Sequence, residues 1–132
     1  MPIVVEPLTE ATYQDQQDLR KIYQDAPSWL FAPQTDGQQL IETALADGSL
    51  IAGRFNDRLL GAARLERRAD LWLLSQLCVR KVTRRRGVAE RLVTEASRMA
   101  RLAGAELRLQ APSGHPEALA LAAKLQIALE PC

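Results

Sequence analysis

The stretch "VRKVTRRRGVAERL", Val79 to Leu92, decides how the rest of the chain is read. Five basic residues, Arg80, Lys81, Arg84, Arg85 and Arg86, stand just ahead of Gly87. From Val88 on, the apolar positions Val88, Leu92, Ala96, Met99 and Ala103 recur at three- and four-residue steps, the period of a helix. Cations at a helix start oppose the macrodipole by up to about 1 kcal/mol each, so this arrangement asks for an anion. The first backbone N–H groups of a helix have no intrahelical partner, and forked guanidinium donors suit phosphate oxygens. Gly87 lets a ligand approach the backbone, and Ala89 keeps the next contact point small. A phosphate is the simplest client; a solvated basic turn and a nucleic-acid patch are the alternatives.

Working outward, the apolar run "LWLLSQLCV" precedes this stretch and the strand-like "ELRLQA" follows its helix, closed at Gly104. Strand, helix and strand in that order give a βαβ unit with the two strands parallel. Upstream, "SLIAGRF" and "RLLGAARLE" meet at Asn56 and Asp57, which tolerate a tight turn, so the two runs form a hairpin and, with the next run, a meander. "PIVVEPL" reads as a first strand. Asp15 is placed to cap a helix carrying Leu19, Ile22 and Tyr23, stopped at Ala26 and Pro27; Asp36 caps a second with Leu40, Ile41, Ala44 and Leu45, closed by Gly48. "SWLFAPQT" between them reads as a loop with exposed aromatics. "HPEALALAAKLQ", with Pro116 in its first turn, is a last helix, and "IALEPC" leaves room for a short last strand. The fold class is α/β: a mixed, mostly antiparallel sheet with flanking helices, one domain over residues 1–132.

Composition agrees with a single globular domain: 132 residues, 47% hydrophobic and 25% charged. The net charge of +1 hides an uneven distribution. Two basic and eight acidic residues lie between Met1 and Gly53, against eleven basic and four acidic between Arg54 and Arg91. A basic centre in a neutral chain fits a local anion site or an acidic partner better than wholesale nucleic-acid binding, which interleaved aromatics would accompany. The N-terminal residues lack a basic and then apolar leader, and no apolar run approaches the ~18 residues of a membrane span. The expectation is a cytoplasmic protein that binds neither membrane nor nucleic acid. Cys78 and Cys132 are far apart with no CxxC pair, so neither a disulfide nor a metal site is expected.

The spacing Arg84-x-x-Gly87-x-Ala89 resembles the pyrophosphate-binding [Q/R]-x-x-G-x-[G/A] signature of the GNAT fold family, whose members hold acetyl-CoA against a strand and the next helix N-terminus. Two longer runs resemble one branch of it, the PanZ/PanM-type acetyl-CoA-sensing maturation factors of aspartate α-decarboxylase. They are Arg54-Phe55-Asn56-Asp57-Arg58-Leu59-Leu60 and Val82-Thr83-Arg84-Arg85-Arg86-Gly87-Val88. The resemblance implies a protein that binds acetyl-CoA (or CoA), then binds the decarboxylase precursor and promotes the backbone cleavage that creates its pyruvoyl group, tying β-alanine, pantothenate and CoA synthesis to acetyl-CoA level. It implies a cofactor site of Leu77, Cys78 and Val79, whose backbone faces the pantetheine arm, and of Thr83, Arg84, Arg85, Arg86, Gly87, Val88, Ala89 and Glu90 around the pyrophosphate. Arg54 and Asn56 would belong to the partner surface. Locally, Asn56 reads equally as a turn residue and Arg54 as an exposed strand arginine.

Acetyl transfer to an amine, the other reading the family offers, needs a proton acceptor and commonly a donor to the leaving thiolate. Tyr13 and Tyr23 both precede the binding motif, and the one histidine, His115, sits where a helix cap would. Ser75, Gln76 and Cys78 are the polar or reactive groups of their strand; Trp72 and Leu74 read as core. No catalytic residue and no metal ligand is assigned.

Overall fold

The computed structural model of the chain describes residues 3–31, 36–81, 87–111 and 115–131. The elements follow in the order β1 (Val4–Pro7), α1 (Tyr13–Gln24), a 3-10 turn (Ser28–Phe31), α2 (Gly37–Asp47), β2 (Leu50–Phe55), β3 (Arg58–Arg68), β4 (Leu71–Val79), α3 (Val88–Leu102), β5 (Glu106–Ala111), α4 (Pro116–Leu125) and β6 (Ala128–Pro131). They build one six-stranded sheet in sequence order. The first four strands are antiparallel, and β4, β5 and β6 run parallel. The expected hairpin, meander and βαβ unit are all present.

Local chemistry explains most boundaries. Asn56 and Asp57, at φ 48° and 67°, are both left-handed, as the twist-matched two-residue hairpin turn requires. Asp36 caps α2 by accepting from Gln39 N–H, and Gly48 ends it in the left-handed conformation. His115 caps α4: its Nδ1 accepts from Ala118 N–H at 3.2 Å, with Pro116 in the first turn. The first helix differs from expectation. Its cap is Thr12, and Asp15 is the return partner of a capping box, its carboxylate reaching back to Thr12 N–H. Both residues suit a helix start, so composition alone does not order them. The residues after α1 also differ, because Phe31 is half-buried, its ring edge-on to Tyr23 at 6.4 Å between centroids.

Helices cover both sheet faces. On one, α3 seats Leu92, Val93, Ala96 and Ala100 on Ile51, Ala63, Leu65 and Leu74. On the other, α1 and α2 pack Leu19, Ile22, Tyr23, Leu40 and Ala44 over Leu50, Ala52, Leu59 and Cys78. Each fully buried leucine contributes roughly 1.5–3 kcal/mol, so the two layers together fix the helices on the sheet. The N-terminal end of α3 approaches especially closely because β3 has no side chain there. A Cβ on Gly61 would lie 2.8 Å from Val88 Cγ1 and 3.2 Å from Leu92 Cδ1. Among the described residues no helix is long and apolar enough to cross a membrane.

Candidate functional site

The site begins with a defect in β4. Ala62 pairs with Cys78 and Arg64 with Ser75, so β4 carries an extra residue opposite β3, and Gln76 takes a positive φ of 53°. A left-handed glutamine inside a strand is strained, and surrounding bonds hold it there. Tyr23 Oη donates to the Gln76 carbonyl at 2.9 Å, and Gln76 Nε2 donates to the carbonyls of Leu30 and Phe31 at 3.2 and 3.1 Å. Complete burial pushes the Tyr23 phenol far above its ordinary range, with the nearby Cys78 adding to the effect. It remains a neutral donor at any working pH.

Beyond the bulge, β4 and β5 part. Their pairing runs from Leu71 with Glu106 to Leu74 with Leu109 and stops there. A cleft of about 220 Å³ opens between them, with Leu77 and Leu109 as its strand walls and Ala89 at its α3 end. Ala118 and Leu121 of α4 and Leu30 also line it, with His115 and Glu117 from the start of α4. An apolar slot with few polar groups suits a slender, largely uncharged arm, and the α3 N-terminus beside it suits that arm's anionic end. Gly87 opens α3 at φ 81° with no side-chain cap.

Several sequence-derived site residues meet here. Leu77 and Ala89 line the cleft, and Gly87 and Glu90 flank it at the helix start, Glu90 taking an ion pair from Lys124 at 2.9 Å. The Val79 and Val88 side chains belong to the α3-side core, and the Cys78 side chain turns to the opposite face, Sγ lying 3.3 Å from the Ile22 carbonyl. What those three residues offer a ligand is backbone. Thr83, Arg84, Arg85 and Arg86 lie outside the described residues. The sequence reading missed Leu30, Tyr23 and the α4 wall. Alanine-rich α4, with Pro116 in its first turn, was the available signal for a small-residue wall, whereas nothing local marks Tyr23.

Arg54 and Asn56 lie on the β2–β3 hairpin, away from the cleft lining. Arg54 Nη1 and Nη2 grip Asp15 at 2.9 and 3.2 Å, and its Nε meets Glu6 at 3.0 Å. Arg58, on the other side of the turn, grips Asp18 at 2.7 Å, and Asp18 also accepts from Leu59 N–H at 3.1 Å. The Asp15 carboxyl is held below the usual aspartate range by the Arg54 hydrogen bonds, against the opposing effect of burial. For Asp18 burial is the largest influence and works upward, but Arg58, Leu59 N–H and Gln14 together outweigh it and the net shift is downward. The turn is thereby clamped to α1 at both ends, with Asn56 and Asp57 exposed at its tip.

The chain is 36% identical over 99 residues to the PanD regulatory factor of Salmonella typhimurium and 37% identical over 99 residues to that of Escherichia coli; each alignment covers 74% of this chain and 68% of the relative. Its fold is that of the Escherichia coli ribosomal-protein-S18-alanine N-acetyltransferase, with TM-score 0.72 at 17% identity, covering 94% of this chain and 76% of the other. It is also that of the Neisseria gonorrhoeae N-acetylglutamate synthase determined with coenzyme A and N-acetyl-glutamate, with TM-score 0.64 at 16% identity. That match covers 83% of this chain and only 25% of the synthase. The family model of the PanZ acetyltransferase (GNAT) domain matches residues 2–128, and the chain belongs to that family.

Proposed function

We propose that the protein is an acetyl-CoA-binding regulator that binds the aspartate α-decarboxylase precursor and promotes its self-cleavage to the pyruvoyl enzyme. The observation that carries this reading is membership of the PanZ family, together with relatives named as PanD regulatory factors. The cleft supports the cofactor half. The pantetheine arm fits between Leu77 and Leu109, along the β4 backbone of Leu77, Cys78 and Val79 past the last β4–β5 pair. The pyrophosphate goes to the Gly87–Ala89 amides, with Arg84, Arg85 and Arg86 assigned to it as cations and Thr83 as a hydroxyl donor. Acetyl-CoA, when bound, would supply the thioester; the chain's own residues would grip the arm, exclude water from it and neutralise its phosphates. A cytoplasmic setting, where acetyl-CoA is made and spent, goes with this reading.

The residues near the cleft favour regulation over acetyl transfer. Tyr23 spends its hydroxyl on the Gln76 carbonyl, and His115 Nδ1 is occupied as a helix cap. On the partner side, Arg54 and Arg58 seat the turn so that Asn56 is presented to the precursor with Arg54 beside it. Calorimetric titration with the precursor, with and without acetyl-CoA, while cleavage is followed on a gel, tests the reading. Tight binding and faster cleavage with acetyl-CoA are expected. Absence of binding in both conditions, with thiol release from acetyl-CoA in the presence of an amine, would instead establish an N-acetyltransferase.

A further inference from the structure

Helix α1 touches both halves of this device, and it does so through groups held in the fold. Near its N-terminus Asp15 and Asp18 grip Arg54 and Arg58, which flank the hairpin turn. At its other end the same helix meets β4 and the residues that follow. Tyr23 Oη holds the bulge carbonyl of Gln76, and Asp25, the C-cap residue of α1, accepts from Lys81 N–H at 2.9 Å. Gln76 in turn holds Leu30, a wall of the cleft. Lys81, itself part of the basic stretch, is the last described residue before Arg84. Ten residues at 1.5 Å each put Asp15 and Asp25 about 15 Å apart on one helix.

We propose that α1 is the rigid link by which acetyl-CoA in the cleft sets the hairpin for the decarboxylase precursor, with Tyr23 and Asp25 as positioning residues at the cofactor end and Asp15 and Asp18 at the partner end. The inference rests on the regulatory reading above. A ligand entering between β4 and β5 engages the backbone next to the bulge, and a close-packed helix bonded to that backbone moves or stiffens with it as a body. The β3–β4 ladder offers a second route, since Arg80 N–H donates to the Leu60 carbonyl at 3.0 Å. Asp25→Ala removes an acceptor of Lys81 N–H, outside the β3–β4 pairs, and so separates the two.

The experiment measures precursor affinity by calorimetry with and without saturating acetyl-CoA, for wild type, Asp25→Ala, Asp25→Asn and Tyr23→Phe, each first shown by thermal melting to be folded. Coupling between sites typically spans roughly 5–150-fold in affinity, and by linkage the precursor must tighten acetyl-CoA by the same factor. Asp25→Ala and Tyr23→Phe are expected to cut the wild-type factor to about twofold or less while each still binds acetyl-CoA alone. Asp25→Asn, whose side-chain oxygen still accepts from Lys81 N–H, is expected to restore it, which a loss of general stability would not produce. Wild-type coupling kept in both Asp25→Ala and Tyr23→Phe overturns the inference and leaves the regulatory reading standing. So does an Asp25→Asn variant as uncoupled as the alanine. Wild type that binds the precursor in neither state, or equally in both, overturns the regulatory reading itself and the inference with it.

Discussion

Replacing Gly61 by alanine tests how the sheet sets the start of α3, and with it the anion end of the cleft. The new Cβ would stand 2.8 Å from Val88 Cγ1, 3.1 Å from Val79 Cγ2 and 3.2 Å from Leu92 Cδ1. Val88 is almost fully buried and stiff at χ1, so it cannot swing aside, and the first turn of α3 must move. Overpacking of this kind costs about 1–3 kcal/mol, offset by ~0.4–1 kcal/mol from the less flexible unfolded chain, a net loss of about 1–2 kcal/mol. At roughly 2.1 cal/mol/K per residue, unfolding entropy for a chain of this length converts that to a Tm lower by about 4–7 °C. A displaced Gly87–Ala89 backbone should weaken one charge-assisted hydrogen bond and raise the Kd for acetyl-CoA about tenfold.

Val88→Ala alone should lose about 2 kcal/mol, because two buried carbons are removed. Combined with Gly61→Ala it removes the closest of the three atoms, so the double variant should lose little beyond Val88→Ala alone. The pair then couples by about 1–2 kcal/mol. Urea denaturation of the four proteins, with calorimetry of acetyl-CoA, measures each term. Additive losses, or an unchanged Kd in Gly61→Ala, would refute the claim that this glycine sets the seat of α3.

Acid stability should follow Asp15 and Asp18. Both carboxyls titrate lower in the fold than unfolded, so their contribution is complete above the unfolded value near 4 and disappears as pH falls through the folded ones. Urea midpoints measured from pH 7 to 3 should therefore drop below about pH 4 in wild type, and the drop should be shallower in Asp18→Asn, which cannot titrate. His115→Ala should cost about 1 kcal/mol by uncapping α4, with His115→Asn recovering most of it in thermal melts. Asn56→Gly should keep the melting temperature, since glycine accepts the left-handed φ, yet abolish precursor binding by calorimetry if the Asn56 side chain is a contact. Unaltered binding would reduce Asn56 to a turn residue.

What the sequence made legible was whatever local chemistry decides. Asn56–Asp57 can only be a tight turn between two apolar runs, Asp36 and Gly48 bracket α2, and the three- and four-residue steps from Val88 give α3. The order of strands followed from short connections and one crossover helix. The bulge was not legible. Gln76 looks like one polar residue in an apolar strand, and its positive φ is held by Tyr23, 53 residues away, and by carbonyls of the 3-10 turn. The cleft walls from α4 and Leu30 were hidden for the same reason, since they depend on where β4 and β5 stop pairing.

Arg54 read locally as an exposed strand arginine, but in the fold its side chain is three-quarters covered and its donors meet carboxylates 39 and 48 residues away. Arg58 repeats the pattern with Asp18, a carboxylate only 1% exposed. Burying Asp18 next to water-accessible Arg58 makes sense only if the turn's position matters, since a bare hairpin turn needs no more than Asn56 and Asp57. The two arginines thus place the tip, and the tip residues make its shape. A partner that read the charge of Arg54 directly would have to compete with Asp15 and Glu6 for it; a partner that reads Asn56 meets a side chain presented by the clamp.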